Sequence, residues 1–286
     1  MKGHIPALLV EGRNLAEAWE KSLIAVYENG CGVRTEYDKP EDPPSKDCSM
    51  TIVVHDPLAE PMIHMDFPGG LEDLQEYVME VLEGIKDHCV RTGSDDPNDT
   101  RWEYTYHQRL FAYNVPGTDA VHDQIEIMAR KLAETPYTRR AQAVTWQVWE
   151  DNACYDPACL QSLWCRCLPD EEGRLVLNMN VRFRSNDAYK AAFMNMFALI
   201  RLQQKIADRI AELSSKPVKL GRYVHQADSY HIYGSYFKTF EERFINALRE
   251  RTFEQRTFHY ALAKEMMEAA IPSILEKAKK MGERSE

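Results

Sequence analysis

Two alternating apolar runs, Leu160 to Cys167 and Leu175 to Phe183, face each other across Pro169-Asp170-Glu171-Glu172-Gly173, and no other feature leaves this chain so little freedom. Period-2 alternation on both sides of a turn-forming segment predicts a β-hairpin. The fold-back brings Cys159, just ahead of the first strand, near Arg184, just past the second. A run from Ala188 to Leu213 follows, with Phe193, Met194, Phe197, Leu199, Ile200, Leu202, Ile206 and Ile210 at helical spacing. So broad an apolar face predicts the central buried helix. The stretch from Asp156 to Asn195 therefore collects a thiol, a cation able to favour its thiolate, and the polar side chains Ser185, Asn186, Asp187 and Asn195. That is the composition of a nucleophilic site.

Around this stretch the chain alternates between helical and extended patterns. Ala16 to Tyr27 predicts an amphipathic helix ended by Asn29-Gly30. Arg34-Thr35 opens a Pro-rich acidic loop, Lys39 to Asp47, and Met50 to His55 is expected as a buried strand. Leu71 to His88 predicts a core helix carrying Glu76 and Glu80 four residues apart, hence on one face. Asp95 to Asp99 is turn-rich, and Trp102 to Tyr106 is expected as a short aromatic strand. Asp119 to Glu134 predicts a helix with Ile125, Ile127, Met128 and Leu132 on its buried stripe, stopped by Thr135-Pro136. Arg139-Arg140 leads into a strand over Ala141 to Trp149. After the central helix, Val218 to Val224 and Ser229 to Tyr233 are expected as strands, the second placing His231 and Tyr233 on one face. Lys238 to Glu286 is helical and charged, with Pro272 near the start of a last amphipathic helix. The pattern implies an α/β (α+β) protein, one domain over 1–286 with a helical C-terminal extension at 238–286.

A net charge of -10 argues against general binding to DNA or to anionic membranes. No apolar run approaches the roughly 20 residues that span a bilayer. The first residues lack the apolar core and cleavage site of a signal peptide, so a cytoplasmic protein is expected. The odd count of 7 cysteines implies reduced thiols. Cys154, Cys159, Cys165 and Cys167 do not have the spacing of paired zinc knuckles, and no metal site is expected. Taken singly, Arg34, Arg139 and Arg140 are surface arginines, the two helical glutamates are solvated, and His231 and Tyr233 are core residues.

As a set they say more. Arg184, Ser185 and Asp187, with Asn195 eight positions after that Asp, follow an upstream Pro157-x-Cys159. Arg140 is followed six later by Trp146, and His231-Ile232-Tyr233 lies downstream. Asp123-Gln124-Ile125, Tyr106 and Arg34-Thr35 complete an order that, from about Ala16 to Tyr236, resembles the thymidylate synthase family and most closely its archaeal-type branch. The resemblance implies a large mixed β-sheet packed by helices, with one sheet face forming a homodimer interface. It implies that Cys159 adds to C6 of the pyrimidine of dUMP, with Arg184 favouring the thiolate and contacting phosphate. Ser185 and Arg34 would also hold phosphate, and Arg139 and Arg140 would reach the partner subunit's nucleotide. Asn195 would read the uracil O4 and N3–H edge, and His231 and Tyr233 the sugar 3′-hydroxyl. Asp187 would orient a reduced pterin, while Tyr106 and Glu80 or Glu76 manage the C5 proton.

The activity so implied is reductive methylation of dUMP to dTMP, with 5,10-methylenetetrahydrofolate or a methylene-tetrahydromethanopterin as donor. The alternatives are a pyrimidine-nucleotide hydroxymethylase and a nucleotide-binding regulator without catalysis. Asn195, where a cytosine-specific member would carry Asp, counts against dCMP. The chain departs from the bacterial pattern at Leu160, usually His, and at Trp164, usually Gln. It also has no counterpart of the bacterial C-terminal closing peptide.

Overall fold

In the computed structural model, which describes residues 3–91 and 101–283, the chain opens with β1 (Ala7–Gly12), α1 (Leu15–Asn29), β2 (Cys31–Val33) and β3 (Ser45–Val54). Then come β4 (Ile63–His64), α2 (Leu71–Glu83), α3 (Tyr106–Phe111), β5 (Tyr113–Asn114), β6 (Val121–His122), α4 (Gln124–Glu134) and β7 (Gln142–Val144). The hairpin strands β8 (Leu160–Pro169) and β9 (Leu175–Asp187) lead into α5 (Ala192–Ser214) and β10 (Val218–Ile232). The chain closes with α6 (Phe237–Phe240), α7 (Asn246–Glu250), β11 (Thr257–Phe258), α8 (Tyr260–Ala269) and α9 (Ile271–Glu283).

A seven-stranded sheet runs β1-β3-β10-β9-β8-β7, with β2 paired to β3. It is mixed because two pairs are parallel. β1 lies parallel to β3 and β9 parallel to β10, and parallel neighbours need a crossover, supplied by α1 and α5. The β8–β9 pair is the expected hairpin, with Gly173 in the left-handed region (φ 76°) at its turn. One sheet face is covered. Trp19 of α1 is fully buried, donates its indole N–H to Ala188 O at 3.0 Å, and meets Phe193 and Phe244 edge-on. On α5, Phe193, Met196, Phe197 and Ile200 are buried to within 1 %, the central helix that the apolar spacing predicted. The other face is open. Leu9, Thr51, Gln226, Arg182, Ser162 and Val144 are paired in register across it.

Several boundaries differ from expectation. The turn at Asp95 to Asp99 lies outside the described residues. α2 stops at Glu83 rather than His88 because Gly84 adopts φ 67° and the chain leaves the helix there. Trp102 to Tyr106 is not a strand, since Thr105 caps α3 through the Gln108 N–H and Tyr106 is its first residue. α4 starts only at Gln124, capped by Asp123, and Ile127 is 39 % exposed rather than part of the buried stripe. Strand pairing around Arg139-Arg140 is confined to β7, and the chain turns away after Val144. The two strands expected between Val218 and Tyr233 are one, β10, with a register irregularity between Ala227 and Tyr230. The C-terminal region is not wholly helical: β11 pairs with β4, and Phe240, Phe244, Ala263 and Met267 join the core.

Candidate active site

Ladder geometry first brings the thiol to its neighbours. At the open end of the hairpin, Arg184 N–H donates to Cys159 O at 2.8 Å, so the two residues lie side by side, as the fold-back requires. Ser185, Asn186 and Asp187 finish β9, and β10 runs parallel beside them with Ser229 opposite Ser185 and His231 opposite Asp187. Asp187 then turns the chain into α5, its Oδ1 accepting from the N–H groups of Tyr189 (3.0 Å) and Lys190 (2.9 Å). One turn into that helix stands Asn195. The result is a cleft of about 360 Å³ lined by Cys159, Ser185, Asn186, Asp187, Asn195, His231 and Tyr233, with Tyr77 and Tyr106 from α2 and α3.

Electrostatically the cleft is dry. Burial pushes the Cys159 thiol up from its ordinary value; the Arg184 guanidinium works against this, and Asp156 reinforces it. Desolvation outweighs the guanidinium, so the net shift is upward. The Arg184 guanidinium is tied to the turn before Cys159, Nε donating to Ala158 O at 3.2 Å and Nη2 to Pro157 O at 2.5 Å. Burial lifts the Asp187 carboxyl to about 6 and drops the His231 imidazole to about 4, so His231 is neutral at physiological pH. Its Nδ1 is 3.2 Å from the Ser229 hydroxyl, which donates to Asp47 at 2.9 Å. Its Nε2 is buried without a hydrogen-bond partner among the described residues. A buried orphan atom in a cleft wall is what a ligand group would satisfy.

Two aromatic hydroxyls also matter. The Tyr106 hydroxyl accepts the Leu160 N–H at 3.1 Å, and burial raises its pKa well above the ordinary value. The Tyr77 hydroxyl donates to Asn195 Oδ1. A second cavity of about 400 Å³ adjoins the cleft through these two tyrosines and is lined also by Glu80, Trp102, Tyr104 and Asp156. The two helical glutamates thereby separate. Glu80 lines this cavity, its carboxyl raised by burial although Lys86 lies 3.0 Å away. Glu76 is also desolvated, but hydrogen bonds from Lys277 (2.6 Å) and Lys86 (2.7 Å) outweigh that and hold it low.

Neither Arg184 nor the three other arginines line the cleft. Arg34 is exposed and donates to Lys39 O at 3.1 Å. Its loop reaches the site through Tyr37, whose ring packs edge-on against Tyr233 at 6.4 Å. Arg139 and Arg140 are exposed beside β7. The sequence reading missed Tyr77, although it lies three residues before Glu80 on the same helix face, and Tyr104, which was assigned to a strand. Among the described residues no group of His, Cys, Asp or Glu is placed to hold a metal, and no helix is long and apolar enough to cross a membrane.

Comparison with known proteins agrees with this geometry. A protein of Methanocaldococcus jannaschii named "Putative thymidylate synthase" is 30% identical over 233 residues, covering 79% of this chain and 90% of the other. One of the same name from Methanopyrus kandleri is 28% identical over 233 residues, covering 80% and 96%. The structure of thermostable thymidylate synthase A from Bacillus subtilis shares the fold, with a TM-score of 0.58 at 17% identity over 86% of each chain. The family model described as thymidylate synthase matches residues 83–268, which takes in Cys159 and every cleft residue except Tyr77, and the chain belongs to the thymidylate synthase family.

Proposed function

We propose that this protein is a thymidylate synthase, converting dUMP to dTMP by reductive methylation. The observation that carries this reading is one cleft holding the Cys159 thiol, the Asn195 amide and the unpartnered Nε2 of His231. Uracil C5 is a poor nucleophile. When the Cys159 thiolate adds to C6, the C5–C6 π electrons become enolate density on C5 and O4. Asn195 Nδ2 donates to O4 and Oδ1 accepts N3–H, pairing the whole edge. Ser185, Arg184 and Arg34 hold the phosphate, together with Arg139 and Arg140 from the other copy of a homodimer. His231 and Tyr233 take the 3′-hydroxyl. Tyr106 and Glu80 move the C5 proton, Glu80 being favoured over Glu76 because Glu76 is doubly ion-paired.

The second cavity suits a flat reduced pterin, with Trp102 and Tyr104 as aromatic walls and Glu80 and Asp156 as acceptors for ring N–H groups. When bound, the pterin supplies the carbon and the hydride. Asp187, at the junction of β9 and α5, is the residue that orients it. Both 5,10-methylenetetrahydrofolate and a methylene-tetrahydromethanopterin meet these requirements, and the enzyme is expected to act in the cytoplasm. Purified protein with C5-tritiated dUMP and methylenetetrahydrofolate tests the reading. Tritium release with dTMP by mass supports it, a hydroxymethyl product replaces it with a hydroxymethylase, and release with neither pterin refutes catalysis. The Cys159→Ser variant is expected to lose turnover by at least about 10³-fold.

A further inference from the structure

We infer that Tyr77 sets the pyrimidine preference of the cleft by fixing which way round the Asn195 amide stands, an inference that rests on reading Asn195 as the residue that meets the base. A carboxamide turned through 180° exchanges its donor and its acceptor with almost no change in shape. Facing the base one way, it matches the O4 acceptor and N3–H donor of uracil. The other way, it matches the N4–H donor and N3 acceptor of cytosine. Asn195 is fixed in every other respect: its backbone N–H is bonded to Ala191 O at 2.9 Å in the first turn of α5, and it is 8 % exposed. Its selectivity therefore depends on what faces the amide from behind.

Behind it stands the Tyr77 hydroxyl, carried on α2 and donating to Oδ1. Among the described residues that hydroxyl has no other hydrogen-bond partner. Burial keeps the phenol protonated far above neutral pH. If the amide flips, an NH₂ group meets a hydroxyl whose own proton then has no acceptor, and a buried unpaired donor is costly. The two positions where this chain departs from the bacterial pattern cannot do this work. Leu160 has no polar side-chain group and is fully buried. Trp164 donates its indole N–H to Arg139 O at 3.1 Å.

The test is equilibrium binding of dUMP and dCMP to the full-length wild type and to Tyr77→Phe, with thermal melting as a check on folding. The wild type is expected to prefer dUMP strongly, and Tyr77→Phe to reduce the dUMP:dCMP ratio by about tenfold, the factor expected for one unsatisfied buried donor. Tyr77→His, which restores a ring N–H, is expected to recover most of the preference. An unchanged ratio in a folded Tyr77→Phe protein overturns the inference while leaving the reading of the site intact. Should Tyr77→Phe not fold, the ratio in Tyr77→His decides, and a dUMP:dCMP ratio reduced there by about tenfold or more overturns the proposal. A wild type that binds dUMP no better than dCMP overturns the reading of Asn195 and the inference with it.

Discussion

Asp187 has two demands on one carboxyl, and they leave a signature in pH. Its Oδ1 turns β9 into α5 by accepting two backbone N–H groups, yet burial lifts its pKa to about 6. The unfolded value is about 3.9, so the folded state disfavours the ionised form. The sign follows from linkage: the penalty is fully present above pH 6, shrinks as pH falls, and is gone below about pH 4. Asp187→Asn keeps an acceptor for both N–H groups and has no charge to desolvate. It is expected to raise stability at pH 8 by on the order of 1–2 kcal/mol in urea titrations, with the gain vanishing near pH 4. A variant equally stable with wild type at both pH values would show that the carboxyl ionises without cost. At this scale the sequence reading was strongest where spacing alone decided position. Cys159 and Arg184 had to meet once the hairpin closed. It was weakest for Arg34, Arg139 and Arg140, whose side chains are exposed, because periodicity says nothing about where an unpacked cation points.

Among the elements, α2 is the one whose surroundings the sequence concealed. Its apolar spacing was clear, but its end depended on the backbone angle of one glycine, Gly84, and its polar face on residues nearly 200 positions away. Lys86 lies between Glu76 (2.7 Å) and Glu80 (3.0 Å) with all three side chains largely buried, whereas Lys277 of α9 reaches Glu76 at 2.6 Å from a side chain that is 55% exposed. These two lysines should behave very differently. Lys86→Met strands the buried Glu80 carboxylate and leaves Glu76 to its exposed partner Lys277, and is expected to cost about 3 kcal/mol, while Lys277→Met removes only a solvent-screened partner and is expected to cost under about 1 kcal/mol. Chemical denaturation of the two variants checks the ordering, and equal losses would mean that α9 rather than Lys86 neutralises the pair. By contrast β8, β9 and α5 were legible almost in full, because each has an uninterrupted period, two for the strands and near 3.6 for the helix. Trp102 to Tyr106 failed for the opposite reason: aromatic composition suggested a strand, but Thr105 is a helix cap.

At the scale of the molecule the open sheet face carries the proposed dimer. Thr51 stands second in its cross-strand row, between exposed Leu9 on β1 and Gln226 on β10. Thr51→Arg is expected to convert the protein to a monomer by light scattering and, if Arg139 and Arg140 serve the other copy as proposed, to raise the KM for dUMP. A dimer that persists with unchanged KM would move the interface elsewhere. The strand beside Thr51 has a further effect, on the order in which the molecule can be made. β10 joins the two halves of the sheet, with β3 on one side and β9 on the other, and it is the last strand of that sheet in the chain. A growing polypeptide that has already emerged through α5 carries its thiol, its guanidinium and its amide, but only on a hairpin with a bare edge and the helix that follows it. Contacts between residues so far apart in sequence close slowly. On the proposed reading, nucleotide can therefore first be held only after Tyr233 has left the ribosome, and the chain spends the whole of its earlier synthesis unable to bind it.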